Sequence, residues 1–322
     1  MAELPHALIV AGPTCSGKSA LALELAQALG GVVVNADSMQ VYCELRVLTA
    51  RPSIADEATA PHFLYGVRAA AESGSVGWWR AAALREMAAA HEAGELPILC
   101  GGTGLYFLSL TRGLADIPAI DGAVREEARA LLAEIGPAAL HARLLAADPA
   151  TAARLLPHDS QRIARAWEVW RGTGQGLAAW QARPGQPASW RFSAVLLDPP
   201  RESLRAAIAG RFAAMLAAGA LDELKALLAL RLDPTLPLMR AHGVQELAAY
   251  LRGDVALEQA AARATLATSQ YTKRQATWFH GHELTDPNRT HTIHARFAYR
   301  AQYSEREYHD LLRFLTTAVD AG

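Results

Sequence analysis

The sequence predicts an α/β fold in which helices flank both faces of a parallel sheet. Two observations support this prediction. Short apolar runs alternate with helical stretches over residues 1–115. Each of these apolar runs ends in a Gly-rich or polar loop. Because ligands of such sheets bind beyond the carboxyl ends of the strands, we expect the loops to converge on one crevice.

The individual elements follow from hydrophobic periodicity and from turn residues. Strands are predicted at 6–11, 32–34, 97–100 and 193–197, and helices at 17–29, 77–93 and 104–112, with long amphipathic helices from 201 to 280. Residues 116–190 are predicted to be entirely helical, with N-caps at Asp121 and Asp159 and breaks at Gly136-Pro137 and Asp148-Pro149.

The domain organisation follows from where the strand pattern stops and returns. We interpret 116–190 as a helical domain inserted into a core that is formed by 1–115 and 191–285. Residues 286–322 then form a C-terminal tail.

Composition excludes several classes of protein. Hydrophobic residues make up 51% of the chain and charged residues 20%, as in soluble enzymes. No apolar run reaches the ~18 residues that a membrane span needs, and the N-terminus lacks the charged region of a signal peptide. The three cysteines are widely spaced, which argues against a disulfide scaffold or a zinc finger and predicts a cytoplasmic protein.

Charge restricts any contact with nucleic acid to local patches. The net charge is −1, whereas proteins that coat nucleic acid are strongly basic. Residues 150–192 and 260–300 each hold six Arg or Lys side chains against two carboxylates. On charge alone, a solvated helix face explains both stretches.

The most specific motif is a phosphate-binding P-loop. It is the run Gly12-Pro13-Thr14-Cys15-Ser16-Gly17-Lys18-Ser19, which follows a predicted strand and opens a predicted helix. Its backbone N–H groups and the helix N-terminus bind anions, Lys18 adds a point charge, and the Ser19 hydroxyl can reach Mg²⁺. The alternative, a chance Gly-rich turn, does not account for the spacing and the context together. The loop therefore indicates a protein that binds a diphosphate or triphosphate.

Three further candidates follow other strands, and each has a simpler alternative. Asp37 is placed to hold Mg²⁺ or to act as a base, or it caps a following helix. Gly101-Gly102-Thr103 allows close backbone approach with a hydroxyl donor, or it is an ordinary strand-to-helix turn. Arg211 can clamp a departing phosphate, or it forms a surface ion pair.

Two segments have the composition of RNA-binding surfaces. Arg162 and Arg165 share a helix face, with Trp167 and Trp170 close by, although a Trp-filled helix core is the simpler reading for the tryptophans. The segment 271–279 combines two cations, an amide and three aromatic side chains, which suits a nucleic-acid groove.

Taken together, these segments resemble the bacterial tRNA dimethylallyltransferase family, whose members are also called tRNA isopentenyltransferases. The matching stretches are 12–19, 37–42, 49–52, 61–62, 97–106, 159–165, 215–219 and 273–279, and in this order they span nearly all of 7–280. The resemblance implies a P-loop NTPase-like parallel sheet flanked by helices, an inserted all-helical tRNA-binding subdomain and a helical C-terminal part. It also implies transfer of a dimethylallyl group from its diphosphate to N6 of the adenosine 3′ of the tRNA anticodon, with Mg²⁺.

The resemblance further implies which residues act. Asp37 matches the general base, assisted by Thr14 and Arg211, and Ser19 matches the Mg²⁺ ligand. Gly12, Pro13, Thr14, Cys15, Ser16, Gly17, Lys18 and Ser19 match the diphosphate site. The implied tRNA contacts are Asp37, Ser38, Met39, Gln40, Thr103, Arg125, Gln161, Arg162, Arg165, Arg240, Gly243, Lys273, Arg274, Gln275 and Trp278. The implied partners are the tRNA anticodon stem-loop and dimethylallyl diphosphate, with no membrane, for a monomeric enzyme.

The chain departs from the family pattern at a few positions. Val244 stands where the family has Tyr, Ser269 where it has Arg, and the residues after 284 match no part of the pattern.

Three other functions fit parts of the sequence. A small-molecule P-loop kinase explains the P-loop but not the segment 273–279 or the helical insertion. An enzyme that prenylates free AMP or ADP would lack much of both. A non-catalytic RNA-binding protein would not need Lys18, Ser19 and Asp37 together.

Overall fold

A computed structural model describes residues 4–183, 185–299 and 305–320 of the chain. The chain divides into two compact units. One is an α/β core formed by the residues up to Thr111 and from Ala188 onward, and the other is a helical unit, Arg112–Pro187. The predicted tail 286–322 includes residues 300–304, 321 and 322, which lie outside the described residues.

The core contains a six-stranded sheet in which all neighbouring strands are parallel. The strands are β1 (His6–Ala11), β2 (Gly31–Asn35), β3 (His62–Phe63), β4 (Leu96–Gly101), β5 (Arg191–Leu197) and β6 (Thr290–Ile293), in the spatial order β3-β2-β4-β1-β5-β6. The predicted parallel α/β sheet and its four predicted strands are confirmed. The two edge strands were missed because β3 has two residues and β6 is polar and four residues long, too short for a periodic apolar pattern.

Helices account for most of the remaining chain. In the first part of the core they are α1 (Lys18–Leu29), α2 (Ile54–Thr59), α3 (Val76–Glu92) and α4 (Gly104–Thr111). The helical unit contains α5 (Gly122–Ala147), α6 (Pro149–Ala152), α7 (Ser160–Thr173) and α8 (Leu177–Gln181). The core continues with α9 (Arg201–Ala217), α10 (Ala220–Ala229), α11 (Val244–Leu251), α12 (Leu257–His280) and α13 (Glu305–Asp320).

The sheet is buried on both faces, as the continuous apolar strands predict. Successive side chains of β1 point to opposite faces: Leu8 packs with Leu21 of α1, whereas Ile9 belongs to the larger cluster that includes Trp79 and Phe107. Alternating burial of this kind fixes which side of the sheet each helix covers.

The loops after β1, β2 and β4 lie together, as predicted. The Trp79 indole N–H donates to the backbone oxygen of Asn35 at 2.7 Å, and its ring stacks on Tyr106 at 4.2 Å between centroids. A Cβ atom at Gly101 would lie 2.0 Å from the backbone oxygen of Ala36, so only glycine permits this approach. The end of β2 is therefore held against the end of β4.

The helical unit begins and breaks its helices where the sequence predicts. The Asp121 carboxylate accepts from the Ala123 N–H at 2.8 Å, and Asp159 accepts from the Arg162 N–H at 3.3 Å. Gly136 leaves helical geometry at φ 76° and ψ 167°, and Asp148 separates α5 from α6. Both predicted caps and both predicted breaks are confirmed.

By length and composition alone, α5 is apolar enough to cross a membrane, although the sequence predicts no membrane span. The break at Gly136 divides it into two shorter helical pieces. Neither piece reaches the ~20 residues that span a bilayer.

Candidate active site

The P-loop joins β1 to α1 and leaves its anion-binding groups uncapped. The chain turns where the Ser16 N–H donates to the Pro13 oxygen at 3.1 Å. Gly17 then adopts φ 94°, and a Cβ atom there would lie 1.7 Å from the Phe297 oxygen. The N-cap residue Gly17 has no side chain to cap α1, so within the described residues the backbone N–H groups of the first turn can bind an anion.

A cavity of about 190 Å³ adjoins this loop and is lined by both charged and apolar side chains. The cavity is lined by Thr14, Cys15, Lys18, Ser19 and Arg211, by the apolar side chains of Leu48, Ile208, Phe212 and Met215, and by Tyr271. The cavity thus offers cations and hydroxyls for an anionic group and an apolar surface for a short hydrocarbon group.

Arg211 faces the P-loop. Its Nη1 lies 3.8 Å from Cys15 Sγ, and no carboxylate within the described part of the chain pairs with it. The alternative of a surface ion pair is therefore wrong. The guanidinium lines the cavity beside Lys18, where it can stabilise negative charge.

Asp37 follows β2 and faces the same cavity. Its backbone N–H donates to Asn35 Oδ1 at 2.8 Å, and its Oδ1 accepts from the Met39 N–H at 2.9 Å. Residues 38–41 form a turn, so the alternative of a helix N-cap is wrong. The bond to Oδ1 fixes the orientation of the group, and among the described residues no donor bonds to Oδ2, which can face a ligand.

Burial shifts the pKa values of two tyrosines and one histidine near Asp37. Burial, together with the negative charge of Asp37, raises the pKa of both Tyr271 and Tyr106. Burial lowers the pKa of His242, which lies 4.9 Å from Tyr271 between ring centroids. These shifts favour the neutral forms of the two phenols and of the imidazole.

Gln275 joins two of the loops from the interior. This buried side chain accepts from the Thr14 N–H at 2.8 Å and donates to the Gly102 oxygen at 2.9 Å. Both ends of its amide are therefore engaged inside the protein. Its predicted contact with tRNA does not fit this position, because Gln275 lies on the buried face of α12 with Thr272 and Phe279.

Gly243 also lies inside the protein. It is buried, its N–H donates to Glu246 Oε2 at 3.1 Å, and a Cβ atom there would lie 3.2 Å from a Leu48 methyl group. The prediction that Gly243 contacts tRNA is therefore wrong. Gly243 instead forms the start of α11, where a φ of 95° favours glycine.

Two side chains hold the loop that carries Leu48. Glu223 accepts from the backbone N–H groups of Arg46, Val47 and Leu48, the last at 2.9 Å. From the other side, Gln40 Nε2 donates to the Thr49 and Ala50 oxygens at 2.9 and 2.8 Å. Sequence reasoning missed Glu223 because acidic residues are common in first helical turns.

Other predicted residues reach the cavity or support it. Ser38, Met39, Gln40 and Arg240 line the cavity. Thr103 Oγ1 accepts from the Ser38 N–H at 3.0 Å, which ties the loop after β4 to the loop after β2. The alternative of an ordinary strand-to-helix turn does not account for this bond.

The predicted RNA-binding face of α12 is partly exposed. Lys273 and Arg274 are exposed, and the Arg274 guanidinium lies 5.5 Å from the Tyr271 ring centroid. Trp278 is half-buried: it stacks on His282 at 4.3 Å and packs against Gly104, where a Cβ atom would lie 2.0 Å from its ring.

Four predicted tRNA contacts lie in the helical unit. Arg125 and Arg165 both pair with the Glu168 carboxylate, Arg125 at 3.1 Å. Arg162 pairs with Asp159 at 3.5 Å and its side chain is 75% exposed, and Gln161 is exposed. The α5–α7 surface therefore carries a cluster of arginines that is only partly neutralised.

The oxygen donors of the cavity suit Mg²⁺ better than a transition metal. Among the residues that the structure describes, no group of three or more His, Cys, Asp or Glu side chains could hold a metal ion. Ser19 and Asp37 provide hard oxygen donors beside the P-loop. Mg²⁺ commonly uses one or two protein oxygens and completes its shell with phosphates and water, so these residues fit the ion.

Comparison with known proteins places the chain in a family. Residues 40–282 match the family model described as IPP transferase. The chain is 59% identical over 311 residues to a tRNA dimethylallyltransferase of Granulibacter bethesdensis, covering 96% of this chain and 98% of that protein. It is also 59% identical over 317 residues to one of Gluconobacter oxydans, with coverage of 98% and 96%.

Solved structures give the same result. The tRNA isopentenylpyrophosphate transferase of Bacillus halodurans is 28% identical, with a TM-score of 0.67 and coverage of 99% of this chain and 98% of that one. A eukaryotic dimethylallyltransferase acting on tRNA is 26% identical, with a TM-score of 0.74 and coverage of 85% and 69%. By sequence and by structure, the chain belongs to the IPP transferase family.

Proposed function

We propose that this protein transfers a dimethylallyl group from dimethylallyl diphosphate to N6 of the adenosine 3′ of the anticodon in tRNA and releases diphosphate. The family membership and the names of the close relatives support a dimethylallyl transfer to tRNA. The observation that carries the proposal is the mixed lining of the cavity, in which phosphate-binding groups and apolar side chains share one space.

The apolar lining favours an isoprenoid diphosphate over a nucleotide. Leu48, Ile208, Phe212 and Met215 border the cavity of the P-loop itself. A five-carbon allylic group gains free energy when it is buried against such side chains, at about 25 cal/mol per Å² of apolar surface. A ribose and a base would instead leave many hydrogen-bonding groups against apolar surface.

The reaction is a substitution at the allylic carbon. The N6 amine forms the new C–N bond while the C–O bond to diphosphate breaks. Asp37 accepts the proton that N6 loses, which is general-base assistance. Lys18, Arg211 and the N–H groups at the start of α1 stabilise the negative charge that develops on the departing diphosphate, and the Thr14 hydroxyl adds a hydrogen bond.

Mg²⁺ is the proposed cofactor. The Ser19 hydroxyl would hold it, and when bound it would neutralise part of the diphosphate charge. Asp37 retains its role as the base at N6.

The proposed tRNA surface combines the cavity mouth with basic side chains outside it. The adenine must leave its stack to reach the cavity, so Asp37, Ser38, Met39, Gln40 and Thr103 would contact the flipped base.

Further side chains proposed to contact the anticodon stem-loop are exposed or half-buried in the structure. They are Arg240, Lys273, Arg274 and Trp278 of the core, and Arg125, Gln161, Arg162 and Arg165 of the helical unit. We propose that the enzyme acts as a monomer in the cytoplasm, where its tRNA substrate is found.

A labelling experiment tests the proposal. The protein is incubated with unmodified tRNA, Mg²⁺ and dimethylallyl diphosphate labelled in the allyl group, in parallel with AMP in place of tRNA. Label is expected in tRNA and not in AMP, and Asp37→Ala is expected to abolish incorporation. Labelled AMP would indicate prenylation of free nucleotides. Tight ATP binding without affinity for dimethylallyl diphosphate would indicate a kinase.

A further inference from the structure

The segment after β6 crosses the P-loop and bonds to its backbone. The Phe297 N–H donates to the Ser16 oxygen at 2.9 Å, and Arg296 Nε donates to the Cys15 oxygen at 2.8 Å. The Phe297 side chain is 2% exposed and belongs to the same core cluster as Leu21 of α1. This segment lies beyond residues 40–282, which match the family model.

These two bonds orient the peptide groups of the P-loop. In a trans peptide the C=O and the following N–H point in opposite directions. Because Phe297 holds the Ser16 oxygen, the Gly17 N–H points away from the tail segment. Because Arg296 holds the Cys15 oxygen, the Ser16 N–H points away as well and closes the turn onto Pro13. The tail thereby sets the peptide orientations on which anion binding by such a loop depends.

Arg296 also brings charge to the site. It lines a second cavity of about 240 Å³ together with Lys18, Ser19 and Arg211, and none of the described residues that line this cavity is acidic. Within the described residues, its hydrogen bond to Cys15 uses Nε, which leaves the two terminal nitrogens of the guanidinium for a ligand. Three cations around one P-loop suit a diphosphate better than a single phosphate group.

We propose that Arg296 is a further diphosphate-binding residue, contributed by the tail, which contacts the diphosphate beside Lys18 and Arg211. The inference rests on the proposed function, because it assigns this residue to the same substrate. This role also gives a function to β6, which pairs with β5, and to the buried Phe297, because both hold the tail at the P-loop.

Binding of inorganic pyrophosphate and of dimethylallyl diphosphate, measured by calorimetry with Mg²⁺, tests the proposal. Arg296→Gln should weaken both affinities about tenfold or more, the loss expected for a charge-assisted hydrogen bond. Arg296→Lys, which keeps the charge, should lose less, and KM for tRNA should stay unchanged. Arg306→Gln is the matched control, since Arg306 is 92% exposed on the same tail and pairs with Asp310.

The outcomes separate this inference from the proposed function. If the unmodified protein binds neither ligand, the proposed function fails. If the unmodified protein binds both ligands and the affinities of Arg296→Gln lie within about twofold of its affinities, Arg296 does not contact the diphosphate and the inference is overturned.

A measurement on the unmodified protein covers the case in which Arg296→Gln does not fold. Saturating pyrophosphate should slow hydrogen exchange of the Phe297 amide, because a ligand bound by Arg296 holds the tail on the P-loop. Unchanged exchange at Phe297, with slowed exchange in the first turn of α1, would limit the tail to a structural role and overturn the inference.

Discussion

Replacement of Gln275 by Ala tests whether the site is assembled from inside the protein. The Gln275 amide joins the Thr14 N–H of the P-loop to the Gly102 oxygen of the loop after β4, at 2.8 and 2.9 Å. Ala removes both bonds at once and leaves both backbone groups without this partner.

The expected loss follows from the burial of the two bonds. The bond to Gly102 is buried, so its loss costs about 1–3 kcal/mol, and the partly buried bond to Thr14 adds about 1 kcal/mol. Gln275→Ala should therefore lower the free energy of unfolding by about 2–4 kcal/mol. It should also weaken pyrophosphate binding, because the P-loop loses a bond that orients it.

Urea unfolding and calorimetry with pyrophosphate check this prediction. Thr277→Ala is the matched control, since Thr277 is an exposed residue on the same helix, and it should change stability by less than about 0.5 kcal/mol. If Gln275→Ala were as stable as this control and lost only tRNA affinity, Gln275 would be a tRNA contact and the reasoning from its burial would be refuted.

Three further predictions concern catalysis, tRNA and pH. Asp37→Asn should lower the rate of transfer in single-turnover assays by about 10²–10⁴-fold, whereas calorimetry should show that diphosphate binding is retained. An equal loss of transfer rate and of diphosphate affinity would make Asp37 a metal ligand or a structural residue. Lys273→Ala with Arg274→Ala should weaken tRNA binding and reduce the slope of log affinity against log salt by about 1.5, whereas Lys225→Ala should not; an unchanged slope would leave these side chains as a solvated face. Burial, with the positive charge of Arg191, lowers the pKa of His6 to about 4. Protonation of His6 thus favours the unfolded chain, and stability should fall by about 3 kcal/mol as the pH drops from about 6.5 to 4 in urea titrations. A His6→Gln variant with the same pH slope would contradict this assignment.

The local patterns that predicted the fold are those in which short-range physics is strong. The alternation of apolar runs with helical stretches predicted four of the strands, and Asp121 and Asp159 predicted helix starts that the structure contains. These signals rest on periodicity and capping, which involve neighbours within one or two turns. The β6 strand has no such signal, because it is short and polar and is stabilised by pairing with β5.

The features of the candidate site also separate into those set by adjacent residues and those set by tertiary contacts. The sequence by itself determined the P-loop and the position of Asp37 after a strand, since each depends on a few adjacent residues. Only the tertiary structure decided the other features of the site. Phe212 and Leu48 meet in one cavity, and Arg296 contacts the P-loop although the two are 281 residues apart in the chain. Gln275 is buried, whereas the adjacent Lys273 and Arg274 are exposed. Packing between elements far apart in the chain decides which face of a helix is buried. It also decides which distant backbone oxygen a side chain contacts. Local sequence patterns do not encode such contacts, so these assignments required the folded chain.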